Sequence, residues 1–245
     1  MRGREETIFS TPFLKSRREK WIAMIKLPDS RQAFFYEDSF LLTCQPSRIA
    51  KILALYEAYK MLTAKRGILV ECGVFKGASF SILTMLRSLL EKVETRKLVA
   101  FDTFSRFAET ENVADRQLRV EIEQKAGLDC ISSEQLRETL GSRGCRLEEN
   151  IELIPGDICN TVPHYAEQYP TVEISLLSVD VDFFEPTQTI LEHLFPRVIS
   201  GGIILFDDYG IADGETRAVS RFLEETGYTL QHFSFAKHPC YLVKK

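Results

Sequence analysis

Apolar residues recur every three to four positions through 47–63, directly behind a serine. That spacing predicts an amphipathic helix capped by Ser47. The period then changes. Residues 67–73, GILVECG, are a short apolar run bounded by glycine, which reads as a buried strand. Helical spacing returns over 78–93, and a second strand is expected at 97–104, KLVAFDTF. The alternation continues with strands at 151–157, 174–184 and 201–208, and with helices at 159–169, 186–198 and 214–227. Pro186 suits a first helical turn and Gly227 a helix stop. Two last strands, 229–235 and 240–245, are joined by AKHP, which reads as a hairpin loop.

Strands alternating with helices imply right-handed βαβ units and a sheet covered on both faces. The expected fold is α/β: a doubly wound, mostly parallel, seven-stranded sheet closed by a C-terminal antiparallel hairpin. Residues 105–150 are polar and charged, with two helices expected near 114–126 and 133–142. That length exceeds a simple connection and reads as a lid-like insertion on the substrate side. The chain thus divides into an N-terminal arm with a helical extension, 1–46, and one domain, 47–245. The arm is basic but carries Glu5, Glu6 and Glu19, and it lacks the apolar stretch of a secretory leader. It is expected to be a solvated arm with a short helix, or a lid or dimer contact anchored by Trp21, which leaves a homo-oligomer open.

Composition narrows the function classes. A chain 44% hydrophobic and 27% charged can build a sizeable core, and a net charge of −4 gives none of the basic footprint expected of a nucleic-acid binder. No apolar run approaches the length of a membrane span, so no membrane partner is expected. The six cysteines form no C-x-x-C pair and no zinc-like cluster with histidine, so free thiols in a reducing cytoplasm are the expectation. Cys72 reads as a small core residue.

The candidate chemistry lies at the carboxyl ends of the strands, where doubly wound sheets bind ligands. Those ends carry Glu71, Asp102, Asp157, Asp180 with Asp182, and Asp207 with Asp208. Gly73 and Gly77 permit a tight turn and close approach of a ligand to the backbone. Their G-x-x-x-G spacing, with Phe75 where a dinucleotide fingerprint needs glycine, fits a pyrophosphate poorly. Asp102 is placed to accept from ribose hydroxyls, and Asp157 to meet an adenine amino group. Each could instead simply cap the next helix. If strands four and five are neighbours, Asp180, Asp207 and Asp208 converge, and such hard oxygen ligands suit Mg²⁺, Mn²⁺ or Ca²⁺. The plainer alternative has the second pair capping a turn and Asp182 solvated.

LVECGVFKGAS, AFDTF, IPGDICNTVP, LSVDVDFFEPT and GGIILFDDY stand in an order that resembles the class I S-adenosylmethionine (SAM) methyltransferases. More narrowly, the chain looks like the macrocin and mycinamicin O-methyltransferase (TylF-like) family over roughly residues 45–230. The resemblance implies a Rossmann-like fold, SAM, a divalent metal such as Mg²⁺ and a small-molecule acceptor: a hydroxyl of a sugar, polyol or glycosylated secondary metabolite. It implies that Glu71, Gly73, Gly77 and Ser79 hold the amino-acid end of SAM, that Asp102 takes the ribose and that Asp157 lies near adenine. It makes Asp180, Asp207 and Asp208 the metal ligands. The family's frequent D-G-D-x-Y is here Asp180-Val181-Asp182-Phe183-Phe184, and its usual Glu-Gly after F-D-T-F is Ser105-Arg106. Asp180 is the first candidate for the base that takes the acceptor proton, with Asp182 or His164 as the fallback. The rivals are a nicotinamide oxidoreductase on the same architecture and a non-catalytic methyltransferase-like binding domain.

Overall fold

The computed structural model describes residues 24–62, 64–92, 96–108, 110, 112–127, 129–143, 146 and 148–245. Trp21, with the first 23 residues of the N-terminal arm, and Cys145 lie outside the described residues. A seven-stranded sheet runs β3-β2-β1-β4-β5-β7-β6. Its strands are β1 (Ile68–Cys72), β2 (Leu98–Asp102), β3 (Ile151–Pro155), β4 (Ile174–Val179), β5 (Val198–Phe206), β6 (Gln231–Phe233) and β7 (Ala236–Val243). The first five pair in parallel, and β7 runs antiparallel to both β5 and β6.

The alternation of side chains along each strand divides the core in two. Leu69, Leu98 and Ala100 face the side covered by α2 (Pro46–Lys60), α3 (Ala78–Leu90) and α5 (Ser133–Ser142). Val70, Cys72, Val99 and Phe101 face α6 (Ile158–Gln168), α7 (Phe184–His193) and α8 (Asp213–Thr226). Strand β1 has β2 on one side and β4 on the other, so the connections leaving β1 and β4 diverge and open a crevice above their carboxyl ends. The neighbours β4 and β5 end side by side at Val179 and Phe206, which brings the acidic residues that follow them together.

Several boundaries differ from the sequence expectation, each for a physical reason. Helix α2 begins at Pro46 with Gln45 as its N-cap, so Ser47 lies in the first turn and is not the cap. Proline at the first position needs no N–H partner and sets the start. Strand four stops at Val179 rather than 184, and α7 starts at Phe184. AKHP belongs to β7, and the hairpin turns at Ser234 and Phe235 instead. Within 105–150, α4 (Val113–Ala126) and α5 behave differently. Leu136 and Leu140 of α5 are fully buried in the first core cluster, while α4 buries only Asp115. Helix α1 (Ala33–Thr43) has no buried residue, with Phe34, Leu41 and Leu42 among its exposed side chains. No helix among the described residues is long and apolar enough to cross a membrane.

Candidate active site

The loop between β1 and α3 forms one wall of the site. Gly73 has φ +91°, and a Cβ there would run into the Asp180 carbonyl, so the turn after β1 presses directly on the tip of β4. Gly77, at φ +84°, is the N-cap of α3, where a Cβ would meet Leu136 Cδ1 at 3.1 Å. Between them Phe75 takes φ 52°, a left-handed conformation costly for a bulky residue.

Asp102 holds that turn. Its Oδ2 accepts from the backbone N–H of Val74 at 2.6 Å and of Phe75 at 3.0 Å. Its Oδ1 accepts from Phe104 N–H at 2.7 Å and from the Thr103 hydroxyl at 3.2 Å. These four donors match the lone-pair capacity of a carboxylate, so Asp102 faces the cleft already committed to its own chain. Asp157 also lines the cleft while capping α6, with Oδ1 accepting from Cys159 N–H at 2.9 Å. Glu71 and Ser79 are bonded to each other, hydroxyl to Oε1 at 2.8 Å, and both are buried. Glu71 Oε2 has no partner among the described residues, and burial pushes this carboxyl up to about 8. Glu71, Gly77 and Ser79 therefore sit behind the cleft wall, whereas Gly73, Asp102 and Asp157 are on it.

The opposite wall is acidic, with Asp180, Asp182 and Asp208 on the cleft lining and Asp207 beside it. Asp180, Asp207 and Asp208 each present an oxygen within 4.8 Å of the others. Sequence reasoning left out the positive charge found among them, which is Lys51 of α2. Its Nζ donates to Asp207 Oδ2 at 2.7 Å and to Asp180 Oδ2 at 3.1 Å. Burial disfavours the Lys51 ammonium, but the two aspartates outweigh it and hold the group charged well above the usual lysine range. Burial and the neighbouring Asp207 raise the Asp180 carboxyl. Asp182 is held at φ 61°, and its carboxyl shares a hydrogen bond with Asp208; burial raises both. Glu215 of α8, fully buried, accepts from Asp208 N–H through Oε1 at 3.0 Å, and burial holds its carboxyl well above the ordinary range. His164 is on α6 and is not part of the cleft lining.

Between these walls lies a cleft of about 390 Å³. Phe75, Phe107 and Phe183 form an aromatic row along it, with ring centroids 5.9 Å apart in each step. Helix α4 is fastened to this side by Asp115, whose Oδ2 accepts from Phe184 N–H at 3.0 Å and so serves the first turn of α7. Thr110 adds a hydroxyl bond to Glu185 Oε2 at 3.1 Å. The lining carries six acidic side chains against one basic residue, Arg48, so the cleft suits a cationic occupant. Arg48 and Lys51 lie three apart on α2, one face of a helix, which was the available sequence signal for both. The described cysteines are free, and burial pushes the Cys72 thiol well up, as expected of a core residue.

A family model described as macrocin-O-methyltransferase (TylF) matches residues 48–235. The chain is 30% identical over 148 residues to the 8-demethyl-8-(2,3-dimethoxy-alpha-L-rhamnosyl)-tetracenomycin-C 4'-O-methyltransferase of Streptomyces olivaceus, covering 59% of this chain and 54% of that one. It is 24% identical over 150 residues to the mycinamicin III 3''-O-methyltransferase of Micromonospora griseorubida, covering 59% and 56%. The chain spans about half the length of the curated relatives it matches. Among solved structures, the calicheamicin methyltransferase CalS11 aligns with a TM-score of 0.73 at 24% identity, over 89% of this chain and 86% of that one. The O-methyltransferase NovP aligns at 0.67 and 20% identity, over 79% of each.

Proposed function

This chain belongs to the macrocin O-methyltransferase family, and from that premise we propose that it transfers a methyl group from SAM to a hydroxyl of a sugar, polyol or glycosylated natural product. The observation that carries the reading is the meeting of the glycine turn with the acidic strand tips, where Gly73 abuts Asp180 and three carboxylates converge. An acid-lined cleft favours a sulfonium cofactor over an anionic pyrophosphate.

The donor set fits a divalent cation, since three hard carboxylates share one point and the chain's own ammonium already stands in for positive charge there. Asp180, Asp207 and Asp208 would hold the metal. When bound, such an ion stabilises a developing alkoxide and orients the acceptor oxygen. The remaining work falls to the chain. Asp102 keeps the Val74–Phe75 turn in shape beneath the cofactor, and the aromatic row excludes water from the transfer path. Asp180, at the meeting point of the three carboxylates, is the group that would accept the hydroxyl proton. The cover formed by residues around α4, rather than the whole of 105–150, is the segment proposed to shape the acceptor site.

Transfer of a labelled methyl group from SAM to a panel of hydroxyl acceptors, with and without excess chelator, tests the reading. Transfer that chelator abolishes is expected. Binding of a nicotinamide cofactor without SAM, or transfer indifferent to chelator, would overturn the cofactor and metal parts respectively.

A further inference from the structure

The strand tips hold their cation from a distant part of the chain. Lys51 lies on α2, more than a hundred residues before the acids it meets, and α2 is fixed by Ala54, Leu55, Ala58 and Tyr59 buried in the first core cluster. Its Nζ reaches 2.7 Å from Asp207 Oδ2 and 3.1 Å from Asp180 Oδ2, with the side chains of all three about one-fifth to one-quarter exposed. Both polar contacts of its ammonium at the strand tips are to these carboxylates.

Two of the three carboxylates that fit a divalent ion are thus already neutralising a monovalent one. An ammonium has no lone pair to give a metal and cannot become a ligand while charged. Its positive charge also repels a divalent ion drawing on the same oxygens. Resting on the metal-dependent reading above, we propose that Lys51 and the divalent cation occupy the Asp180–Asp207 site in exchange. Lys51 is the resident counter-ion when the metal is absent, and loading the metal requires Nζ to leave both aspartates. The device keeps the acidic tips from repelling one another in the unloaded protein. It also lowers the apparent metal affinity by the fraction of molecules in which Lys51 is withdrawn. Lys51 is therefore a positioning residue for the metal, acting through Asp180 and Asp207.

Two measurements on the full chain test this. The first is calorimetric titration of Mn²⁺ and Mg²⁺ alone into the wild type, Lys51→Met and Lys51→Arg, each checked for cooperative unfolding. Lys51→Met should bind about tenfold more tightly or better, as when a competing state holds nine-tenths of the molecules. Lys51→Arg, which keeps the charge, should stay near wild type. The second uses only the wild type, so a folding defect in a variant cannot obscure it. Acetylation of lysines, read by mass spectrometry, should show Lys51 protected without metal and modified several-fold faster with saturating Mn²⁺. Lys51→Met with unchanged or weaker metal affinity overturns the exchange, and so does a Lys51 footprint that Mn²⁺ leaves unchanged. In either case clear metal binding by the wild type would leave the proposed function standing. If neither wild type nor Lys51→Met binds a divalent ion, both the exchange and the metal reading fall.

Discussion

Replacing Asp102 with alanine separates a structural carboxylate from one that serves only the cofactor. The side chain accepts four hydrogen bonds, three of them from the backbone N–H groups of Val74, Phe75 and Phe104. Two of those donors belong to residues at positive φ, Phe75 at 52° and Phe104 at 49°, conformations that cost roughly 1–3 kcal/mol each and persist only when held. Deleting the acceptor leaves three main-chain donors without a protein partner in a half-buried turn. An unsatisfied buried donor costs about 1–3 kcal/mol, and water reaches part of this turn, so a total loss of about 2–4 kcal/mol is expected. For a chain of this size that corresponds to a fall in Tm of roughly 5–15 °C. Urea unfolding and calorimetric SAM binding should be measured on the same preparation. Both stability and affinity should fall, with Asp102→Asn intermediate because its amide keeps one acceptor oxygen. A variant as stable as wild type that no longer binds SAM would refute the reasoning, since the carboxylate would then serve the ribose alone.

Gly73→Ala should cost at least about 3 kcal/mol in urea unfolding, from the left-handed φ together with the collision with the Asp180 carbonyl, and wild-type stability would contradict the close approach. Gly77→Ala should cost less, because its Cβ meets only side-chain carbons, the movable end of Leu136 at 3.1 Å and Ile131 at ordinary contact distance. Glu71 has its carboxyl raised from 4.5 to about 8, so between those values the folded chain keeps a proton that the unfolded chain releases. Its contribution to stability is full below about 4.5 and is lost as pH rises through about 8; Glu71→Gln should remove that slope, and a wild-type-minus-variant difference that is flat from pH 5 to 9 would count against it. Leu136→Ala should destabilise the fold by about 2–5 kcal/mol, because α5 packs in the core; a stable variant altered only in acceptor KM would return α5 to the cover.

Much of this was open to a reader of the sequence because buried parallel strands announce themselves as apolar runs and their ends as the first charge. Glu71, Asp102 and Asp207 follow that rule. The end of β4 does not. Val181 and Phe183 continue the apolar alternation, yet they are buried beneath the cleft rather than in the sheet, and nothing local distinguishes the two forms of burial. Lys51 was hidden for a different reason. A lysine on an amphipathic helix ordinarily faces solvent, and only the packing of α2 against the sheet carries this one to the strand tips. The insertion was read as one unit because charged and polar residues predominate along it. The pair Leu136 and Leu140, one helical turn apart, already marked α5 as a core helix.

The bond from Phe184 N–H to Asp115 has a bearing on how the α4 segment could be exchanged between relatives. A cover that merely rested on the cleft could be grafted between relatives like a cassette. This one supplies the acceptor for the opening turn of α7, whose own N-cap, Phe183, offers no side-chain bond. It also closes over Gly214, where a side chain would strike Asp115, Phe184 N and the Asp182 carbonyl together. A transplanted α4 segment lacking an acid at this position would loosen the loop that carries Asp182, so the segment and that loop must be exchanged as a pair.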